Sequence, residues 1–398
     1  MSDVAERLEE LRERGLYRRL RLVEGPQGPR VLLGERELLL LCSNNYLGLA
    51  DDPRVREAAA EAALRWGAGA GASRLISGNM EPHRALEQRL AAFKGYEAGL
   101  LFGSGYLANI GAIAALSGRG DVVFSDELNH ASIVDGCRLS RAETFVYRHG
   151  DLEHLAWGLG EAGERAALIV SDGVFSMDGD VAPLAGLAEL AQRHRCRLMV
   201  DEAHATGAVG PGGRGSVAAA DLGGEVDVLV GTLGKALGSY GAYVCADAEI
   251  VDLLVNCARP FIFSTAPPPP ALGAAARALA LLEAEPERVE RLQANAAILR
   301  DGLAAEGLAS GRSRTQIVPV KVGEAELAME LCERLLDGGV FAQGIRPPTV
   351  PPGSSRLRFT VMATHSSAEL EQAARKAGIA ARALGLASAP PQPARAAA

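Results

Sequence analysis

Paired cysteines are missing from this 398-residue chain: Cys42, Cys137, Cys196, Cys245, Cys257 and Cys332 are scattered, with no CxxC among them. That spacing offers neither a zinc site nor a disulfide framework, so reduced packing residues are expected and no metal is assigned. Dense runs of lysine and arginine are missing too, and the formal charge is -8. A nucleic-acid surface needs clustered positive charge against its phosphates, which excludes that class of partner. No apolar stretch reaches the roughly 20 residues needed to cross a bilayer. The opening residues, Met1-Ser2-Asp3-Val4-Ala5-Glu6, are polar and acidic rather than basic then apolar. The expectation is a cytoplasmic protein with no membrane partner. What remains, 48% hydrophobic and 23% charged residues, suits a globular chain of two domains, or one large domain with an appendage, that buries a sizeable core.

Lysine is also scarce. Only four of the 41 basic residues are lysines, Lys94, Lys235, Lys321 and Lys376. Arginine does not give up its proton in a protein, whereas a desolvated lysine does and then becomes a nucleophile. A lysine that persists under such a bias marks a place where an amine can be required. Lys94 follows an amphipathic stretch, Lys321 alternates with valines and Lys376 lies in an Ala-rich helix, all ordinary contexts; Lys235 stands apart.

Along the chain, residues 1–24 read as an amphipathic helix, with Leu8, Leu11 and Leu16 at roughly helical spacing. Short apolar runs at 98–102, 121–124, 167–170, 197–200 and 227–230 are strand candidates, separated by helix-length segments such as 107–116, 132–139 and 184–194. Strands buried on both faces and alternating with helices require a largely parallel, doubly wound α/β sheet. After the prolines at 267–270 comes one long predicted helix, 271–308, then short strands at 318–322, 340–342 and 357–360 around helices, the pattern of a smaller α+β domain. The expected organisation is an N-terminal helix and arm (1–43), a large domain (44–285), a small C-terminal domain (286–386) and a disordered Ala/Pro-rich tail (387–398).

The octapeptide Gly231-Thr232-Leu233-Gly234-Lys235-Ala236-Leu237-Gly238 surrounds Lys235 with small residues just after an apolar strand. A planar ligand can approach the backbone there and the amine is poorly solvated, which suits Schiff-base chemistry; a surface turn lysine is the competing reading. It is not a phosphate-binding P-loop, because Leu229 replaces the first glycine and Ala236 the Ser or Thr. In Asp201-Glu202-Ala203-His204, Asp201 ends a buried strand, where ligands bind in open α/β sheets, and His204 can turn back to the same crevice. Helix capping and a satisfied, partly buried histidine are the plainer alternatives. Gly103-Ser104-Gly105-Tyr106 opens a helix whose free N–H groups make an anion cradle. Read as GxGxxA, with Asp121 and Asp126 as ribose acids, the same segment fits a dinucleotide enzyme, which leaves Lys235, Asp201 and His204 without a role.

His130 can stack on a ring and Ser176 can donate to a ring oxygen, although capping and turn formation explain each alone. Taken together, these strand-end loops present what pyridoxal 5'-phosphate (PLP) requires. Lys235 meets the aldehyde, Asp201 the pyridinium nitrogen, His130 the ring face, Ser176 and His204 the ring oxygen, and Gly105, Tyr106 and Thr232 the phosphate.

The motifs Ser43-Asn44-Asn45-Tyr46-Leu47-Gly48-Leu49, Phe175-Ser176-Met177-Asp178-Gly179-Asp180, Asp201-Glu202-Ala203-His204-Ala205-Thr206-Gly207, Thr232-Leu233-Gly234-Lys235 and Phe263-Ser264-Thr265 resemble those of the α-oxoamine synthases, a branch of the fold-type-I PLP-dependent transferases. The resemblance runs from Arg18 to about Leu384. It implies a seven-stranded, mostly parallel sheet between helices. It also implies a homodimer with interfacial active sites, where Ser264 and Thr265 reach a neighbour's phosphate and Ser104 joins the cradle. Ile345-Arg346-Pro347-Pro348-Thr349-Val350-Pro351 followed by Arg356-Leu357-Arg358 is most similar to the biotin-pathway branch, which condenses L-alanine with a pimeloyl thioester on CoA or acyl carrier protein. By that resemblance Arg358 clamps the amino-acid carboxylate, Arg18, Asn44, His130 and Thr349 contact substrate, and Arg346 meets the distal carboxylate of the acyl chain. The chain departs from the family pattern at Arg74, where some synthases have histidine. A sister activity such as glycine C-acetyltransferase and a catalytically silent interaction protein are the alternatives. Intact Lys235 and Asp201 weigh against the silent one.

Overall fold

The computed structural model describes residues 3–387, so residues 388–398 of the expected tail lie outside the described residues. Two compact units make up the chain. The larger combines Asn44–Ser176 with Asp180–Glu290, and the smaller combines the segment up to Ser43, Met177–Gly179 and the segment from Arg291 onward.

In the smaller unit, β1 (Arg30–Leu33) and β2 (Arg36–Leu40) form an antiparallel hairpin. The larger unit holds β3 (Ala98–Phe102), β4 (Val122–Asp126), β5 (Glu143–Tyr147), β6 (Ala166–Asp172), β7 (Arg197–Asp201), β8 (Val228–Thr232) and β9 (Ala242–Ala246). These form one seven-stranded sheet in the order β3-β9-β8-β7-β6-β4-β5, in which β9 alone runs against its neighbours. The sheet is therefore mostly parallel, the fold of the fold-type-I PLP-dependent transferases. The smaller unit adds β10 (Ile317–Gly323), β11 (Val340–Phe341), β12 (Gln343–Ile345) and β13 (Ser355–Thr360), with β11 parallel to β2 and a second sheet ordered β10-β13-β12.

Burial explains the pattern. Leu198, Met199 and Val200 on β7, and Val228, Leu229 and Val230 on β8, are almost completely buried on both faces, as a parallel sheet between helices demands. Helix Gly105–Leu116 covers the sheet, packing Ala108, Ala112, Ile113 and Leu116 against Phe102, Val123, Val170 and Val244. At about 1.5–3 kcal/mol for each large apolar side chain, this layer fixes which face each strand presents. The smaller unit has its own cluster of Val31, Leu38, Leu40, Leu336, Phe341 and Met362.

Two helices differ from expectation. The one predicted over 1–24 is confined to Val4–Glu13, capped by Asp3 and Glu6, and Leu8 and Leu11 are exposed. Gly15, in the left-handed region at φ 62°, turns the chain, and residues 18–23 form no helix. The helix predicted over 271–308 is two, Pro269–Ala284 and Glu287–Ala305. Pro286 separates them: its ring disfavours helical geometry at Glu285, found at φ -126° and ψ 60°.

Candidate active site

Four neighbouring parallel strands end in polar residues: Thr232 on β8, Asp201 on β7, Asp172 on β6 and Asp126 on β4. This carboxyl edge is the ligand side of an open α/β sheet. Asp172 and Asp201 lie directly opposite each other in register. Burial and the Asp201 charge push Asp172 well above the usual carboxylate range, although the His130 N–H donates to its Oδ2 at 2.8 Å.

Asp201, 3% exposed, is held by two donors: Asn109 Nδ2 reaches Oδ2 at 2.6 Å and the Ala203 N–H reaches Oδ1 at 2.8 Å. Asn109 Nδ2 also donates to Ser132 Oγ at 2.8 Å, and that oxygen lies 2.7 Å from His130 Nδ1. Asp201 and His130 are thus joined through two side chains from separate helices. The His130 side chain also caps helix Ala131–Ser140, and the residue remains exposed at the strand-end edge.

His204 is buried, with Nε2 2.9 Å from Lys235 Nζ and Nδ1 2.7 Å from the Tyr46 hydroxyl. Tyr46 donates to Asn44 Oδ1 at 3.1 Å. With that proton committed, His204 Nδ1–H donates to Tyr46 and Nε2 accepts from Lys235, so a neutral imidazole satisfies all three contacts. Lys235 stands in a turn after β8, half-buried, with buried Leu233 and Ala236 beside it in the chain. The turn is closed by Gly238 N–H donating to Lys235 O at 2.9 Å, and Thr232 Oγ1 accepts from Gly234 N–H at 3.2 Å.

Ser104 caps the helix beginning at Gly105, its Oγ accepting from Leu107 N–H at 3.3 Å. A Cβ on Gly105 would meet nothing within 4 Å, so the helix start opens on free space. The Tyr106 hydroxyl is engaged by Asp135. Ser176, 8% exposed, sits in a turn closed by Phe175 N–H donating to Asp180 O at 3.0 Å. Thr265 pairs with Ser73 in an isolated antiparallel bridge, leaving Thr265 exposed and Ser264 half-buried.

The ribose acids of a dinucleotide site are already engaged. Asp126 accepts from the N–H groups of Leu128 and Gly150, both at 2.9 Å, and Asp121 from Gly118 N–H at 2.9 Å. Lys94, ordinary in sequence, is fully buried, donating to Glu202 Oε2 at 3.2 Å, Thr206 Oγ1 at 2.8 Å and Arg214 O at 2.7 Å. Arg74 is buried in a two-pronged pair with Glu87, at 2.7 and 2.9 Å.

Arg18, Arg346, Thr349 and Arg358 belong to the smaller unit. Arg358 is 7% exposed on β13, and Arg18 and Thr349 are exposed. Arg346 Nη2 donates to Tyr17 O at 2.8 Å, while its Nε is buried with no partner. A cavity of about 430 Å³ is lined there by Arg12, Arg19 and Arg346 with Tyr17, Glu326 and Met329.

The sequence reading gave no role to Tyr46, which it quoted only within a motif, nor to Asn109, Ser132 and Asp172. Asn109 carried a usable signal: it is the one polar side chain in the run Leu107-Ala108-Asn109-Ile110-Gly111-Ala112-Ile113, and a buried amide requires partners.

Among the described residues, no helix is long and apolar enough to cross a membrane. The family model described as aminotransferase class I and II matches residues 36–376. The 8-amino-7-oxononanoate synthase of Geobacter sulfurreducens is 57% identical over 373 residues, 93% of this chain and 95% of that protein. Among solved structures, the serine palmitoyltransferase of Sphingomonas wittichii superposes with a TM-score of 0.91 at 33% identity, covering 97% of this chain and 98% of that one. The 8-amino-7-oxononanoate synthase of Francisella tularensis gives 0.75 at 27% identity, over 87% and 99%. With its seven-stranded sheet and the lysine, histidine and carboxylate gathered at its carboxyl edge, the chain belongs to the class I and II aminotransferase family, among the relatives named 8-amino-7-oxononanoate synthase.

Proposed function

We propose that this chain is a PLP-dependent acyltransferase that condenses L-alanine with a pimeloyl thioester to give 8-amino-7-oxononanoate, carbon dioxide and the free thiol carrier. The observation that carries the reading is the Lys235 amine 2.9 Å from His204 Nε2, at the sheet edge where Asp201 is buried. The residues present fit PLP: a half-buried amine, a buried carboxylate with two donors, a hydroxyl on a strand-end turn and a helix start facing open space. When bound, that group supplies an aldehyde for an amine and a ring that withdraws electrons from the neighbouring carbon.

The chain's own residues then have distinct tasks. Lys235 holds the cofactor and moves a proton at Nζ, and the neutral His204 ring accepts from that amine and keeps it oriented. Asp201 accepts a proton-bearing ring nitrogen, with Asn109 and the Ala203 N–H fixing the carboxylate's direction. The N–H groups of Gly105 and Tyr106, with the hydroxyls of Ser104 and Thr232, receive the phosphate, since the first N–H groups of a helix have no intrahelical acceptor. Ser176 serves the ring oxygen and His130 the ring face. Arg358 takes the alanine carboxylate with its planar guanidinium, Arg346 takes the distal acyl carboxylate, and Arg18, Asn44, His130 and Thr349 complete substrate binding.

A homodimer completes the site, with Ser264 and Thr265 of each copy reaching the other's phosphate. Exposed Leu75, Ile76 and Phe263, brought together by the Ser73–Thr265 bridge, support this. The assembly acts in the cytoplasm. Purified, PLP-loaded protein is expected to release thiol from pimeloyl-CoA or pimeloyl-acyl carrier protein with L-alanine. Release from acetyl-CoA with glycine, and none with alanine, would overturn the assignment.

A further inference from the structure

His149 occupies a position that the chemistry above does not use. Its Nδ1 lies 3.0 Å from Asp126 Oδ1 and its Nε2 lies 2.8 Å from Asp180 Oδ2. A neutral imidazole has one N–H, so only the imidazolium can donate to both carboxylates. The ring also stands edge-on to Phe175, with centroids 4.4 Å apart at 86°. Asp126 ends β4, its carboxylate accepts from Leu128 N–H at 2.9 Å, and its carbonyl accepts from Asn129 N–H at 3.2 Å, which leads directly into His130. Asp180 closes the turn that begins at Phe175 and carries Ser176. One ring therefore joins the strand-end loop of His130 to the turn of Ser176.

We propose that His149 is a positioning residue that straps the Ser176 turn to the His130 loop through its two ion pairs, and so sets where the ring-binding groups stand. Its consequence for the cofactor rests on the PLP reading; the strap itself does not. The acidic groups that meet the ring, Asp126 and Asp180, support a charged form, while Glu127 Oε1 accepts from the His149 backbone N–H at 2.9 Å. The adjacent Arg148 is turned to Asp151 instead, at 2.7 Å, and His154 accepts the Arg148 N–H. The bonds to Asp126 and then Asp180 raise the His149 pKa from 6.5 to about 10. Because the folded value is raised, the strap's contribution is fully present below the unfolded value and is lost as pH rises through about 10.

The test compares wild type with His149→Phe, His149→Asn and Asp180→Asn. Hydrogen exchange of peptides covering 126–131 and 172–181 in the cofactor-free protein is read first, then PLP affinity by titration across the alkaline range. Exchange in both peptides is expected to rise about tenfold in the His149 variants, while peptides from the helix Gly105–Leu116 stay unchanged. PLP affinity in wild type is expected to show an alkaline step that both His149 variants lack, and Asp180→Asn to move that step to lower pH by removing one carboxylate. If His149→Phe fails to fold, Asp180→Asn alone decides, because it keeps the ring. Unchanged protection of 172–181 in a folded variant overturns the strap. Raised exchange with unchanged PLP affinity overturns its role toward the cofactor. Absence of thiol release by the wild type with alanine and a pimeloyl thioester, with both exchange results as expected, overturns only the substrate assignment.

Discussion

Exchanging Lys94 for methionine removes a cation from a place water does not reach: the lysine side chain is 1% exposed and that of its partner Glu202 0%. Burial pulls the Lys94 ammonium below its ordinary pKa, and Glu202 opposes that pull. The three acceptors around Nζ do not lose equally. Thr206 Oγ1 keeps a contact with the Tyr243 hydroxyl at 3.1 Å, whereas Arg214 O and Glu202 Oε2 lose the ammonium. Removing one partner of a buried pair costs about 3–5 kcal/mol, against about 0–1 kcal/mol for an exposed pair. Set beside a total stability of about 5–15 kcal/mol, this is a large loss. Replacing both partners, Lys94→Met with Glu202→Leu, is not expected to restore stability. Glu202 Oε1 also accepts from Ser216 N–H at 2.8 Å, Val217 N–H at 3.0 Å and the Ser216 hydroxyl, and a buried donor left without an acceptor costs about 1–3 kcal/mol. The assay is urea unfolding of cofactor-free protein by circular dichroism, comparing midpoints at unchanged slope. A shift worth under about 1 kcal/mol for Lys94→Met would refute the reasoning, as would full recovery in the double variant.

Tyr46→Phe deletes the hydroxyl that accepts from His204 Nδ1–H. A hydrogen bond worth about 1–1.5 kcal/mol corresponds to a fall of about tenfold in kcat, measured as thiol release, and because the buried His204 Nδ1–H is left without that acceptor, denaturant melts are expected to show a stability loss of about 1–3 kcal/mol as well. Arg74→His brings in the residue that some synthases carry, yet it breaks the two-pronged bond to buried Glu87. The expected result is a loss of about 3 kcal/mol in stability with no change in acyl-chain preference, read from denaturant melts and a panel of acyl-CoA donors.

The large unit was legible because its signals are local. Apolar runs of strand length gave β6, β7 and β8 within two residues, and Asp201, His204 and Lys235 stood out as chemistry at strand ends. Contacts that join distant segments were hidden. Nothing near Asn109 in sequence indicates Asp201, 92 residues away, and His149 meets Asp126 and Asp180 only through the sheet. Lys94 looked ordinary because its acceptors come from loops more than 100 residues later. Periodicity also overran its limits: leucine spacing continued past Gly15, and helical composition continued through Pro286, where backbone geometry ends each helix.

The central claim is that the Lys235 amine holds the cofactor, and chemical trapping tests it most directly. Purified protein loaded with PLP, reduced with borohydride, digested and analysed by mass spectrometry is expected to carry the added cofactor mass on the peptide containing Lys235, and Lys235→Ala to carry none. A protein that stays colourless with PLP, or a label found on Lys94 or on no lysine, would contradict the account.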